Sequence, residues 1–381
     1  GALVAAQGRF GDGPFEYRRV WGGGPEQHGP GGVVHPVSPD PPALPPRAPG
    51  VAARSANAID DATQETNDAS PTSAATYTSE PTNVADATAT ATMPEAAPAA
   101  DPTATTAPPE VVLYVADTLN HRILVFDGQQ WALVPGQGGM GGEAGQFEFP
   151  CSVIVDSKGL LYVTDSNNNR VQRFNGTLWE VISYTPLGNA VGDFVLPYGI
   201  AVDRDDNIYV ADSSNHRVQV WNGEIWQVLP DGGFDRPEGV TVDRDGVVYV
   251  ADTGNNRVSK LVNGSWETIA EGYGQEPGQF ISPWRVAADA FGNLYVLDWT
   301  NYRIQKFDGE TWSIITNGPG VGPGQLNEAY GIAVDYYGAV YLADTGSHRI
   351  QKFADGEWTV VAEGYGTGIG QFQRPRGIAA F

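Results

Sequence analysis

Cysteine is almost absent from this sequence: Cys151 is the single one in 381 residues. That excludes an internal disulfide and any cysteine-based zinc site. Basic residues are also scarce. Lys and Arg number 22 against 45 Asp and Glu, a formal net charge of −23, and residues 111–381 hold 17 against 32. Such a surface repels phosphate backbones, which need clustered Lys and Arg, so no nucleic-acid partner is expected. No apolar run approaches the ~20 residues of a membrane-spanning helix, and no membrane insertion within this chain is expected. The chain opens on Gly1 with no signal-peptide pattern, which implies that an upstream segment was removed or that the chain is a fragment.

What is present changes twice along the chain. Residues 1–40 are glycine-rich. Their Phe15-Glu16-Tyr17-Arg18-Arg19-Val20-Trp21 and His35-Pro36-Val37 read either as part of a further repeat or as an irregular terminal segment. Residues 41–110 are Ala, Thr, Pro, Ser and acid, with one aromatic, Tyr77, and no basic residue after Arg54. They cannot bury enough apolar surface to offset chain entropy and read as a disordered linker. Thr/Ser/Pro-rich stretches of this kind are common in stalks outside the cell, so an extracellular or cell-surface location, on a bacterium, is expected.

From residue 111 the chain repeats itself. Tyr198–Leu229 shows the unit: apolar runs Gly199–Val202, Ile208–Ala211, Val218–Trp221 and Ile225–Leu229, each ended by a turn signal. Short runs rich in Val, Ile, Tyr and Trp without helical period read as strands. Asn222-Gly223 between the last two suits a type I′ hairpin. The aspartate ending the second run recurs as Asp117, Asp165, Asp212, Asp252, Asp298 and Asp344. The arginine opening the third recurs as Arg122, Arg170, Arg217, Arg257, Arg303 and Arg349, both series stepping by 48, 47, 40, 46 and 46 residues. Four strands repeating every 40–48 residues predict a six-bladed β-propeller of four-stranded antiparallel blades over 111–381. Val112–Ala116 is a second strand with no first strand ahead of it. The surplus first strand stands at the other end, in Gly377–Ala380, and is expected to complete the first blade and close the ring.

Asn120-His121-Arg122 and Asn215-His216-Arg217 also resemble the NHL repeat family, and six copies agree with that pattern. The resemblance implies the same six-bladed fold and leaves function open, because the fold hosts many unrelated activities. An amidating lyase similar to this family uses several histidines around zinc. Here His121, His216 and His348 occupy one slot in three different blades, so no convergent trio forms. The repeated Asp and Arg are read as ion pairs within or between blades, and the three histidines as blade packing. No metal, cofactor or catalytic residue is assigned.

Functional residues are sought where the repeat breaks. Five long loops, 136–149, 184–196, 271–282, 317–328 and 363–374, emerge on the face that also carries the turns between second and third strands. The residue after each strand-four-to-strand-one connection varies: Cys151, Tyr198, Glu238, Trp284, Tyr330 and Arg376. The fifth blade departs furthest, with Trp284-Arg285 for Tyr-Gly and Trp299-Thr300-Asn301-Tyr302 for the usual Ser/Thr-Gly-Asn-His. Aromatic residues beside an arginine suit recognition. The expected ligand- or partner-binding residues are therefore Trp284, Arg285, Trp299 and Tyr302, completed by Tyr198, Tyr330, Glu238 and Arg376.

The preferred function is a non-catalytic binding propeller, a ligand-sensing or protein-interaction domain acting through its long-loop face. Its expected partner is a protein, a peptide or a small polar ligand, met by a monomeric propeller. NHL propellers joined by linkers to bacterial receptor-type kinases show a similar order of linker and propeller. The alternative is a propeller enzyme, lactonase- or lyase-like, acting at the mouth of the central channel. That chemistry needs a metal or a polar cluster at the mouth, and no such cluster is evident in the sequence.

Overall fold

The computed structural model describes residues 111–183 and 187–381. The glycine-rich segment 1–40, the linker 41–110 and the first part of the loop 184–196 lie outside the described residues.

The repeated unit folds as a meander because each strand is only three to seven residues long and each ends where a turn residue is required. In the unit read above, the strands are Pro197–Val202, Ile208–Asp212, Arg217–Trp221 and Trp226–Val228. They pair in sequence order and antiparallel. Among the described residues six such sheets form, and the first takes its innermost strand from the C-terminal end. Pro375–Ala380 pairs with Leu113–Asp117, Ile378 opposite Val115 and Ala380 opposite Leu113. The ring therefore closes as the surplus strand requires. We number the blades from this closing sheet, so that Pro283–Ile314 is the fifth.

One turn differs from expectation. Asn222-Gly223 lies in a four-residue loop, where the Asn222 side chain accepts the N–H groups of Glu224 and Ile225. Two-residue turns form instead at Asn263-Gly264, with φ of 50° and 77°, and at Asp355-Gly356. The difference is one of spacing: both dipeptides favour positive φ, but only the latter pairs are flanked by residues in direct register.

Blades are held by repeated polar devices as well as by apolar packing. Each strand-opening arginine is paired with the aspartate of its own blade: Arg170 Nε lies 2.8 Å from Asp165, and Arg349 Nε lies 2.7 Å from Asp344. The outer guanidinium nitrogens donate to carbonyls of the loop entering that blade, as Arg170 does to Glu143 and Gln146. The six arginines thus hold the loops of one face in place, and their buried charge is compensated in the only way that makes it tolerable. A glutamine of the same strand bonds the loop in several blades, and a buried Phe or Leu of each loop packs there. Phe147 meets Trp179 edge-on at 5.0 Å.

Neighbouring blades are joined by two further hydrogen bonds. A Ser or Thr hydroxyl donates to the carbonyl of the proline that opens the next inner strand, as from Thr118 to Pro150, Ser213 to Pro237 and Thr345 to Pro375. A His or Asn accepts the N–H of the residue before that proline. Phe149 donates to His121, Leu196 to Asn169, Arg236 to His216, Ser282 to Asn256 and Arg374 to His348. The histidines are structural acceptors, which requires a neutral imidazole. Burial holds the pKa of His121 and His348 below the ordinary value.

Candidate functional site at the channel mouth

The six inner strands surround a cavity of about 200 Å³ on the ring axis. Where they reach the long-loop face, one equivalent position in each blade is Ser152, Gly199, Gly239, Arg285, Gly331 or Gly377, and all but Gly239 line the cavity. Five are small. A Cβ on Gly199 would lie 2.8 Å from the Glu238 carbonyl and 3.0 Å from Arg285 Nη1, so the crowding that favours glycine comes in part from the single large member. Arg285 closes the cavity at this end. Its guanidinium donates to the carbonyl of Glu238, to that of Cys151 at 3.1 Å and to that of Tyr198 at 3.4 Å. Arg285 is 6% exposed. The sequence places it among the ligand-facing groups. The structure places both outer nitrogens of its guanidinium on backbone carbonyls, as the floor of the mouth.

Above this floor stand Cys151, Tyr198, Glu238, Trp284, Tyr330 and Arg376, one from each blade. Trp284 is the hub. It meets Tyr330 edge-on at 4.9 Å, Tyr198 at 6.0 Å and Trp299 at 5.7 Å, while Trp299 lies 5.6 Å from Tyr330. The Arg376 guanidinium rests 4.3 Å from the Tyr330 ring centre and 4.5 Å from that of Phe149, a pair of cation–π contacts. Tyr198, Trp284, Trp299, Tyr330 and Arg376 are thus one contiguous group. Tyr302 makes no ring contact among the described residues and stands 38% exposed beside the group.

Glu238 is buried within this ring. Desolvation raises its pKa to about 7, against the opposing pull of Arg285, Arg236 and Arg376. Its Oε2 has no hydrogen-bond partner, and neither do the buried Trp299 Nε1 and Arg376 Nε. Cys151 is fully buried beside them, its thiol pKa pushed up by burial. A polar cluster therefore does assemble at the mouth. Glu238, Arg285 and Arg376 come from blades four, five and one, and only ring closure brings them together. Phe149 and Arg236, which also adjoin this cluster, do not stand out in the sequence. Both occupy the variable position before the proline of an inner strand, two residues ahead of Cys151 and Glu238, and Phe149 has φ 60° there.

The junction of blades five and six is unlike the other five. Trp299 replaces the hydroxyl donor, Tyr302 replaces the His or Asn acceptor, and Ala329 replaces the proline. The sixth inner strand begins only at Gly331, whereas the others begin at their proline. Both connecting hydrogen bonds are lost at the place where the aromatic group stands. Among the described residues no three His, Cys, Asp or Glu side chains are grouped to hold a metal ion.

Three segments, 147–174, 194–221 and 234–261, match the family model described as NHL repeat. No curated protein matches the chain in sequence. Among solved structures, a chain of the nidogen/laminin complex is 18% identical with a TM-score of 0.52, covering 71% of this chain and 98% of its own. A catalytically inactive virginiamycin B lyase from Staphylococcus aureus with quinupristin is 16% identical with a TM-score of 0.44, covering 60% and 73%. At these identities the likeness is one of fold. Three matched NHL repeats in a closed ring of six four-stranded sheets make this chain a six-bladed β-propeller that carries NHL repeats.

Proposed function

We propose that the propeller is a non-catalytic binding module that engages a protein partner through its long-loop face, with the aromatic group at the channel mouth as the anchor site. The observation that carries this reading is the junction of blades five and six. Five junctions keep two hydrogen bonds, and the sixth gives up both for Trp299, Tyr302 and a four-ring cluster. Local rules broken at a cost in stability are characteristic of functional sites. The nidogen/laminin chain of the same fold, crystallised in a complex of two proteins, supports a protein as the partner. The loop tips add apolar groups around the mouth, with Tyr273 and Tyr365 well exposed. The Thr/Ser/Pro-rich composition of 41–110 supports a place outside a bacterial cell.

Capture experiments with the full chain test this. A specific partner retained by the parent and by the opposite-face variant Asp205→Ala, and weakened about thirtyfold by Trp284→Ala, is the expected result, since a buried aromatic anchor contributes about 2 kcal/mol. Equal retention by all three proteins, or loss only with Asp205→Ala, overturns the assignment of the face.

A further inference from the structure

We infer that the anchor group received by the mouth is a carboxylate, bound by Arg376 and Trp299 and hydrogen-bonded to Glu238. This rests on the binding reading of the mouth and names its ligand chemistry.

Three buried polar atoms at the mouth have no partner: Arg376 Nε, Trp299 Nε1 and Glu238 Oε2. They belong to one group. Arg376 lies on Tyr330, which lies on Trp299 and Trp284, and Arg376 acts electrostatically on Glu238. Arg and indole N–H groups only donate, so the ligand atoms that satisfy them are acceptors. Glu238 either accepts from a ligand donor or, when protonated, donates.

Charge decides between these. Arg285 and Arg376 both act on the single carboxyl group of Glu238, with Arg236 as a third cation on the same strand's approach. Cys151 and Tyr198 act on Arg285 from blades two and three, and the Ser213 hydroxyl donates to the Pro237 carbonyl. Burial favours the neutral form of Glu238, with a pKa of about 7. The mouth is then a cationic spot in a propeller that is otherwise acidic. An ammonium ligand would add a further cation and leave two N–H donors unmatched. A carboxylate offsets the excess charge, accepts both N–H groups and accepts the Glu238 proton. Charge-assisted hydrogen bonds of this kind are the strong ones, and an arginine suits a carboxylate. The acidic charge of the propeller as a whole also opposes polyanions while admitting one negative group.

Phenylacetate and phenethylamine share a ring and differ in charge, so they serve as probes of the full chain. Binding is followed by calorimetry and by the indole N–H signal of Trp299, identified by its loss in Trp299→Phe. Phenylacetate is expected to move that signal, and Arg376→Gln to weaken it at least tenfold. Proton uptake by Glu238 makes phenylacetate bind about tenfold more weakly at pH 8.5 than at pH 6.5. Glu238→Gln keeps a donor, so it is expected to retain binding within about threefold and to lose the pH dependence.

Binding of phenethylamine in place of phenylacetate overturns the inference, as does loss of phenylacetate binding in Glu238→Gln. Either result leaves the loop-face reading standing if Trp284→Ala still releases the partner. Two amidated or free peptides then name the source. An amidated peptide with one internal Asp reports an acidic side chain, and an Asn version with a free terminus reports a chain end.

Discussion

The guanidinium of Arg285, on the fifth blade, donates to the carbonyl of Cys151, on the second, across the ring axis at 3.1 Å. In a ring of six these blades are opposite each other, so one side chain ties the two halves of the propeller together at its centre. The contact depends on the small residues at the same level in the other five blades.

Arg285→Ala should therefore lower stability rather than act on binding alone. Three buried carbonyls lose a donor, and each such loss costs about 1–3 kcal/mol. A drop of roughly 3 kcal/mol or more in denaturant unfolding is expected, with Arg285→Lys restoring only part of it. An unchanged midpoint in Arg285→Ala would mean that the axial bonds contribute nothing.

Tyr302→His should do the reverse. It replaces the exposed Tyr302 by the side chain that accepts a backbone N–H in three other blades. The N–H of Glu328, which has no acceptor among the described residues, gains one. A stabilisation of about 1 kcal/mol is expected, measured by chemical denaturation. The mirror exchange His216→Tyr should lose a similar amount, and equal midpoints for both variants and the parent would refute the role given to this slot.

Acid should weaken the blade junctions. His121 and His348 have pKa values lowered by burial, so the folded state takes up protons less readily than the unfolded chain. Their contribution is fully present above the ordinary histidine pKa and is lost as pH falls through the folded values. The double variant His121→Asn/His348→Asn uses the residue found in blades two and four. It should lose less stability than the parent between pH 7 and pH 5, as thermal unfolding would show.

Glu238 predicts the opposite slope. Its pKa is raised from 4.5 to about 7, so its own contribution to stability is fully present below pH 4.5 and is lost as pH rises through 7. The difference corresponds to something on the order of 3 kcal/mol. Glu238→Gln should therefore match the parent near pH 4.5 and exceed it above pH 7. A parent that is the more stable of the two at pH 8 would show that Glu238 is held as a well-compensated carboxylate.

The fold was legible because its rules are local and written six times: strand lengths, the Asp–Arg series, and the missing first strand before Val112. The site was legible only in part. Trp284, Trp299 and Tyr330 stand out as departures from the repeat, and they do come together. Arg285 stands out equally, yet its direction depends on the five small residues at its level, which belong to other blades. Glu238 reads as one variable position among six. It is buried beside Arg285, Arg376 and Cys151, which come from the fifth, first and second blades, a neighbourhood that no local pattern encodes. Phe149 was missed for the same reason: its partner, Arg376, is brought to it by ring closure.

That closure also sets an order of events during synthesis. Leu113–Asp117 is made before the five other sheets, and the strand that covers its inner edge, Pro375–Ala380, is made after them. Until then the first sheet presents an open strand edge, and the mouth lacks Arg376. Non-local pairing of this kind is slow and leaves edges available to other chains. The nascent propeller therefore keeps an open seam at the same place where Arg376 later completes the channel mouth.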